Sequence, residues 1–342
     1  LSDQVYEFVW TSHHLLLDGW SLPLVFKEIF TTYAQFSRGQ IPSVTFNRPY
    51  RDYITWLQTQ DLTVAEVFWR KQLQGFQEPI QLSPNSRLND KQTPSAQGYA
   101  IQTQHLSLQT TETLQAFAQR HRLTSNTLVQ GAWALMLSYI SQSTDIVFGV
   151  TSAGRPTDLA GAESIIGLFI NTLPARIQVD PQALLLPWLQ QIQAQQLETR
   201  QYEYTPLRQI QRWLNLPAAI PLFESLVVFE NYPIDTTSQP LPTGLDIQNV
   251  RSMVNNSYPL TLRVLPGAEL KLQMMYDCSR FEAAAIAQWL KQFTALLQQL
   301  AIPSTQPDLP LKLLLAAIPD AHSPSHSPSP VFLHSREDGV NW

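Results

Sequence analysis

Two adjacent imidazoles, then a carboxylate four residues on, make His13-His14-Leu15-Leu16-Leu17-Asp18-Gly19-Trp20 the stretch of this 342-residue chain best suited to chemistry. A neutral imidazole accepts a proton near pH 7 and returns it later, which is what acyl transfer asks of a general acid/base. The three leucines predict partial burial of the loop, where such a group is less diluted by water. A histidine pair alone is commonplace, and the Asp18-Gly19-Trp20-Ser21 continuation sets this one apart. A metal centre competes with catalysis but needs further ligands. His105, His121, His322, His326 and His334 show no ligand spacing with the pair, and Cys278 is a single thiol, so no metal is expected.

The flanking residues suggest how the pair is positioned. Residues 5–11 are rich in β-branched and aromatic side chains and predict a strand running into the histidines. Ser21 reads as an N-cap, Pro23 fits a first turn, and Leu24, Val25, Ile29, Phe30 and Tyr33 fall near helical spacing. The histidines are thus expected on a strand-end loop, a usual place for catalytic groups on a rigid scaffold.

Further along, periodicity predicts helices at 63–74, 111–121, 125–140, 185–201 and 281–300. Strands are expected at 101–108, 145–151, 169–178, 225–230, 258–265 and 269–276. Residues 76–98 read as a polar surface connection. Strands and helices mixed in this order indicate an α/β or α+β fold.

Composition narrows the class. An apolar fraction of 44% supplies ample core. A net charge of −5 and a pI near 5.8 argue against nucleic acid as a partner. The single cysteine fits a reducing compartment, so a cytoplasmic location is expected. No run of about 18 apolar residues predicts a membrane span. No signal peptide pattern is visible at Leu1.

The His13–Gly19 stretch resembles the HHxxxDG signature of condensation domains of nonribosomal peptide synthetases, shared with related CoA- or carrier-dependent acyltransferases. Further blocks follow in the family's order. Residues 49–56 (PYRDYITW) are similar to its YxD(F/Y)xxW block, and 148–156 (FGVTSAGRP) to its strand and GRP turn. Residues 166–176 (IGLFINTLPAR) are similar to its fifth motif, 202–207 to the next block, and 221–225 with 229–233 to the last. Several ordered motifs are more specific than any one. The resemblance covers about residues 1–312 and implies a two-lobe chloramphenicol acetyltransferase-like fold with lobes facing across a tunnel.

In the family the histidines lie well inside the domain, so the resemblance implies an incomplete first lobe. Residues 1–90 are expected as the C-terminal part of that lobe with the HHxxxDG loop, 91–312 as the second lobe, and 313–342 as a Pro/Ser-rich disordered tail.

The implied chemistry is peptide-bond formation. The amine of an acceptor on one peptidyl carrier protein attacks a donor thioester on another, both held on phosphopantetheine arms, with no cofactor bound by the domain itself. His14 is the expected catalytic imidazole, deprotonating or holding the amine, while His13 orients the loop. Asp18 is expected to pair with an arginine, with Arg155 the candidate. Gly19 allows close backbone approach, and its N–H is a candidate oxyanion donor. Trp20, Asn171 and Tyr50 are candidate substrate or tunnel residues, and Arg155 and Arg176 candidate supports. Trp20 and Asn171 fit a buried structural role as well. Tyr50, Asp52 and Trp56 are expected mainly to hold their loop. The parent synthetase would supply an adenylation domain. Two alternatives stay open: a non-synthetase CoA- or carrier-dependent acyltransferase, and an inactive remnant that only docks carrier protein.

Overall fold

The structure, a computed structural model, describes residues 5–42, 47–82, 98–217, 220–230, 245, 248, 258–301, 308–318 and 331–332. The chain divides into two compact units. The first comprises residues 1–61, 152–171 and 232–252, and the second the remainder.

The second unit is built on a mixed sheet. Its strands are β1 (Tyr99–His105), β2 (Asp145–Ser152), β3 (Asn171–Gln178), β4 (Ser225–Phe229), β5 (Leu260–Leu265), β6 (Lys271–Asp277) and β7 (Val331–Phe332). The spatial order is β3-β2-β4-β5-β6-β1-β7. β2 and β4 are parallel, as are β4 and β5, whereas β5, β6, β1 and β7 pair antiparallel. The polar edge near β2 is clamped by Asp145. Arg176 donates to it from Nε at 2.9 Å and from Nη2 at 2.7 Å, and Gln178 Nε2 adds a third bond at 2.7 Å. The Asp145 bond holds the Arg176 guanidinium above its usual range.

Helix α5 (Ser125–Ser141) is buried from Thr127 to Ser138, as expected of a helix apolar on every side. Thr124 caps it, its side chain accepting from Thr127 N–H at 3.1 Å. It shares a core with α4 (Leu108–Arg120), α6 (Leu185–Arg200), α8 (Ala283–Ala301) and α9 (Leu311–Ala316) through Leu114, Trp133, Leu189, Phe293 and Leu314. A second core joins α3 (Leu62–Gln72) to α7 (Leu207–Trp213) through Trp69, Leu73, Ile210 and Trp213.

The first unit carries α1 (Ser21–Ser37) and α2 (Arg51–Gln58), and its core is Tyr53, Leu159, Ala162, Ile165 and Phe169. This corrects the expected linear partition at residue 90. α3 packs with the second unit because Trp69 and Leu73 bury there, whereas residues 152–171 return to the first because Leu159 and Phe169 pack on Tyr53. The tail expected from 313 also begins inside a helix, since Leu314 and Ile318 are buried in the core. Most of the remaining tail, and residues 83–97 of the expected surface connection, lie outside the described residues.

Two local expectations change as well. Residues 6–11 form no strand, and only Val5 makes a bridge. A strand needs a laddered neighbour, and the described residues offer this segment none. Ser21 is the first helical residue of α1 rather than its cap, with Trp20 in the cap position. Helices α2, α7 and α9 are too short for periodicity to announce them. Among the described residues no helix is long and apolar enough to cross a membrane.

Candidate functional site

The histidine loop is a tight turn. Leu16 N–H donates to His13 O at 2.9 Å, and Leu15 N–H donates to His13 Nδ1 at 3.1 Å. Nδ1 is therefore an acceptor, so a neutral His13 carries its proton on Nε2. Both imidazoles are exposed. The apolar insert departs from expectation: Leu15 and Leu16 stand 70% and 67% exposed, because the turn directs them outward, and only Leu17 is half-buried.

Asp18 ends the loop and is 1% exposed. Its Oδ1 accepts from Ser21 N–H at 2.8 Å and lies 2.7 Å from Ser21 Oγ. Arg155 Nη2 reaches the same oxygen at 3.3 Å, and Phe169 N–H donates to Oδ2 at 3.0 Å. Asp18 thus caps α1 and holds the segment around Phe169 from one carboxylate.

The Arg155 side chain is largely enclosed as well, 6% exposed. Its Nη1 donates to Ala162 O and, at 2.8 Å, to Ile165 O, and its Nη2 lies 3.3 Å from Ser21 Oγ. Its Cζ sits 4.1 Å from the Phe169 ring centroid, a cation–π distance. Burial pushes the guanidinium below the usual arginine range, and the Asp18 carboxylate acts in the opposite sense.

Two glycines admit these contacts. A Cβ on Gly167 would fall 2.0 Å from Tyr50 Cδ2. Gly154 has φ +62°, and a Cβ there would meet Phe169 O at 1.9 Å. Tyr50 lies against this segment and donates its hydroxyl to Leu168 O. Burial raises the Tyr50 phenol above its usual value, with Asp18 adding to the shift. That bond ties the Tyr50 ring to the backbone of the segment, as a residue that holds its loop would. Trp20 Nε1 donates to Glu163 O at 3.1 Å, and Trp56 Nε1 to Asp158 Oδ2 at 3.0 Å. Asp52 pairs with Arg48 at 2.8 Å.

The structure therefore brings Asp18, Trp20, Tyr50 and Arg155 into one lattice at the base of the histidine loop. Gly19 lies half-buried in the turn between Asp18 and α1, and Asn171 half-buried at the start of β3. Arg176 is elsewhere, in the second unit on Asp145. Sequence reasoning missed the hydroxyl of Ser21, read only as a cap, and the backbone of Gly167 and Phe169. The Gly167-Leu168-Phe169 run within the fifth-motif resemblance was the available signal. Among the described residues, no three His, Cys, Asp or Glu side chains gather as a metal site would need.

The Condensation domain family matches residues 1–317. Two components of the linear gramicidin synthase of Brevibacillus parabrevis are similar to most of the chain. One is 46% identical over 306 residues, covering 88% of this chain and 6% of its own length. The other is 44% identical over 306 residues, covering 90% of this chain and 4% of its own length. The chain thus spans a small part of these curated relatives. Among solved structures, the X-domain from teicoplanin biosynthesis superposes with a TM-score of 0.71 at 19% identity, covering 90% of this chain and 70% of that one. The first condensation domain of the calcium-dependent antibiotic synthetase, in complex with substrate analogue 2a, gives 0.68 at 17% identity, covering 88% and 67%. These likenesses show the fold, which is chloramphenicol acetyltransferase-like. With the family matched over residues 1–317 and relatives 44% and 46% identical across most of its length, the chain belongs to the condensation domain family.

Proposed function

We propose that the chain supplies the histidine loop of a peptide-bond-forming condensation reaction between two carrier-bound substrates. The carrying observation is the division of labour in His13–Asp18: the carboxylate is buried on four polar partners while the His14 imidazole stands exposed. A group built into the scaffold cannot meet substrate, and an exposed imidazole on an anchored loop can.

In this reading the acceptor amine nitrogen attacks the donor thioester carbonyl carbon. The C–N bond forms and the carbonyl oxygen takes the negative charge. The C–S bond then breaks as the carbonyl re-forms. His14 takes a proton from the attacking nitrogen and returns one to the departing pantetheine sulfur, so the imidazole ends unchanged. Gly19 N–H is the proposed donor to the oxyanion. His13, whose Nδ1 is engaged by Leu15 N–H, orients the turn. Asn171 is the proposed contact for substrate or pantetheine, and Trp20 a wall beside it. The partners are donor and acceptor peptidyl carrier proteins, with phosphopantetheine as the arm of the substrate. An adenylation domain selects the monomer, and the setting is the cytoplasm.

The test is His14→Ala in the full-length native protein, assayed by mass spectrometry for the condensed product. Loss of a positioned acid/base should lower the rate by about two to four orders of magnitude. A rate within a factor of about two of wild type would remove His14 from proton transfer.

A further inference from the structure

We propose that Ser21 is a positioning residue: its hydroxyl locks the His13–Asp18 loop to the Gly167–Phe169 segment, setting the histidine loop for the condensation reaction. The kinetic part rests on that assignment of the reaction, whereas the structural part does not.

The residue is fully buried. A serine at a helix start ordinarily accepts from the N–H groups of the first turn. Here Asp18 does that work, with its Oδ1 taking Ser21 N–H at 2.8 Å. The Ser21 hydroxyl is left to other partners. Its Oγ lies 2.7 Å from Asp18 Oδ1 and 2.8 Å from Gly167 O, and accepts from Gly167 N–H at 3.0 Å and from Arg155 Nη2 at 3.3 Å.

Two features mark a lock rather than a filler. Both backbone polar groups of Gly167 rest on one hydroxyl. The Tyr50 ring closes the other side so tightly that no side chain fits there. The hydroxyl also has one proton for two acceptors, the Asp18 carboxylate and the Gly167 carbonyl. Loop and segment, 146 residues apart in the chain, therefore share one hydrogen-bond network with Arg155 at its centre. The segment continues from Phe169 to Asn171, so its placement is fixed together with that of the loop.

Removing the hydroxyl leaves the α1 cap in place, because Ser21 N–H still reaches Asp18. Gly167 loses the one partner of both its N–H and its C=O. The expected signature is therefore local to the segment, not general loosening.

The experiment compares Ser21→Ala with Ser21→Thr, which keeps a hydroxyl. Amide hydrogen exchange in this chain should quicken at Gly167 by about tenfold in the alanine variant, the scale of one lost buried hydrogen bond. The first turn of α1 should stay within about twofold of wild type. In the full-length native protein with carrier-bound donor and acceptor, kcat per folded molecule should fall by about tenfold with KM for the acceptor unchanged. Ser21→Thr should restore both Gly167 protection and kcat.

Unchanged Gly167 exchange in Ser21→Ala would overturn the lock. So would a variant whose melting temperature drops while kcat per folded molecule stays at wild type, since that is a packing role alone. Failure of threonine to rescue, with its native fold intact, also counts against it. A wild-type protein that forms no peptide bond, yet shows the expected exchange pattern, would sink the reaction assigned to His14 and leave the lock standing.

Discussion

Asp18 ends the histidine loop as part of the scaffold. Its carboxylate is sealed from solvent and engaged by Ser21, Arg155 and Phe169 N–H. A buried ion pair is weak evidence of net stability, but breaking one by removing a partner leaves an uncompensated charge, at a cost of about 3 to 5 kcal/mol. Asp18→Asn should therefore lower the thermal midpoint and the condensation rate together. An unchanged melt with lost activity would assign Asp18 to the reaction itself. The pairing with Arg155 was legible in the sequence, because a carboxylate at a fixed place in a loop needs a cation and the GRP turn offered one. The role of Ser21 was not. A serine before a helical run reads as a cap, and nothing in the run shows that Asp18 already fills that role.

At the scale of elements, the long pieces were readable and the short ones were not. Helices α5 and α8, of 17 and 19 residues, repeat their apolar pattern often enough to be seen. Helices α2, α7 and α9, of 8, 7 and 6 residues, are too brief for a pattern to repeat. The segment at residues 6–11 failed the other way: β-forming side chains alone do not make a strand, and among the described residues it has no neighbour to ladder with. α2 matters because it sets Tyr50 and Tyr53 against Phe169, with ring centroids 5.5 and 4.1 Å away. Gly167→Ala should strain this junction, since the added methyl would meet Tyr50 at 2.0 Å. Overpacking of this kind typically costs about 1 to 3 kcal/mol. Urea midpoints should show the loss. Adding Tyr50→Ala should then cost less than it does in the wild-type background. Strict additivity would mean that the two residues do not meet.

At the scale of the molecule, the first unit exposes several large apolar side chains. Tyr6, Phe8, Val9, Phe36 and Ile41 are each more than half exposed, and Phe8 and Trp10 edge onto Phe26 at 6.3 and 6.2 Å. Exposed apolar surface favours association. The 342-residue chain should elute from size-exclusion chromatography as a dimer or larger species, shifting toward monomer when Phe8 and Val9 are made serine. A monomer at high concentration would show that the patch is covered by the chain itself. The sequence suggested two bodies but not their weave, because Phe169 and Leu159 are ordinary apolar residues until Tyr53 is beside them.

That weave bears on how the protein is made. Asp18 leaves the ribosome 137 residues before Arg155 and 151 before Phe169. At synthesis rates of about 5–20 residues per second, that is roughly seven to thirty seconds. Through that interval the carboxylate has neither its cation nor its Phe169 amide. The aromatic face of α1 is then carried on a nascent chain whose first unit has no core, since four of its five core residues lie beyond Val150. The histidine loop is made well before the partners that give it its shape. Codon-level pausing between residues 61 and 152 would lengthen the exposure, and a holdase chaperone acting on the nascent chain would find its target there.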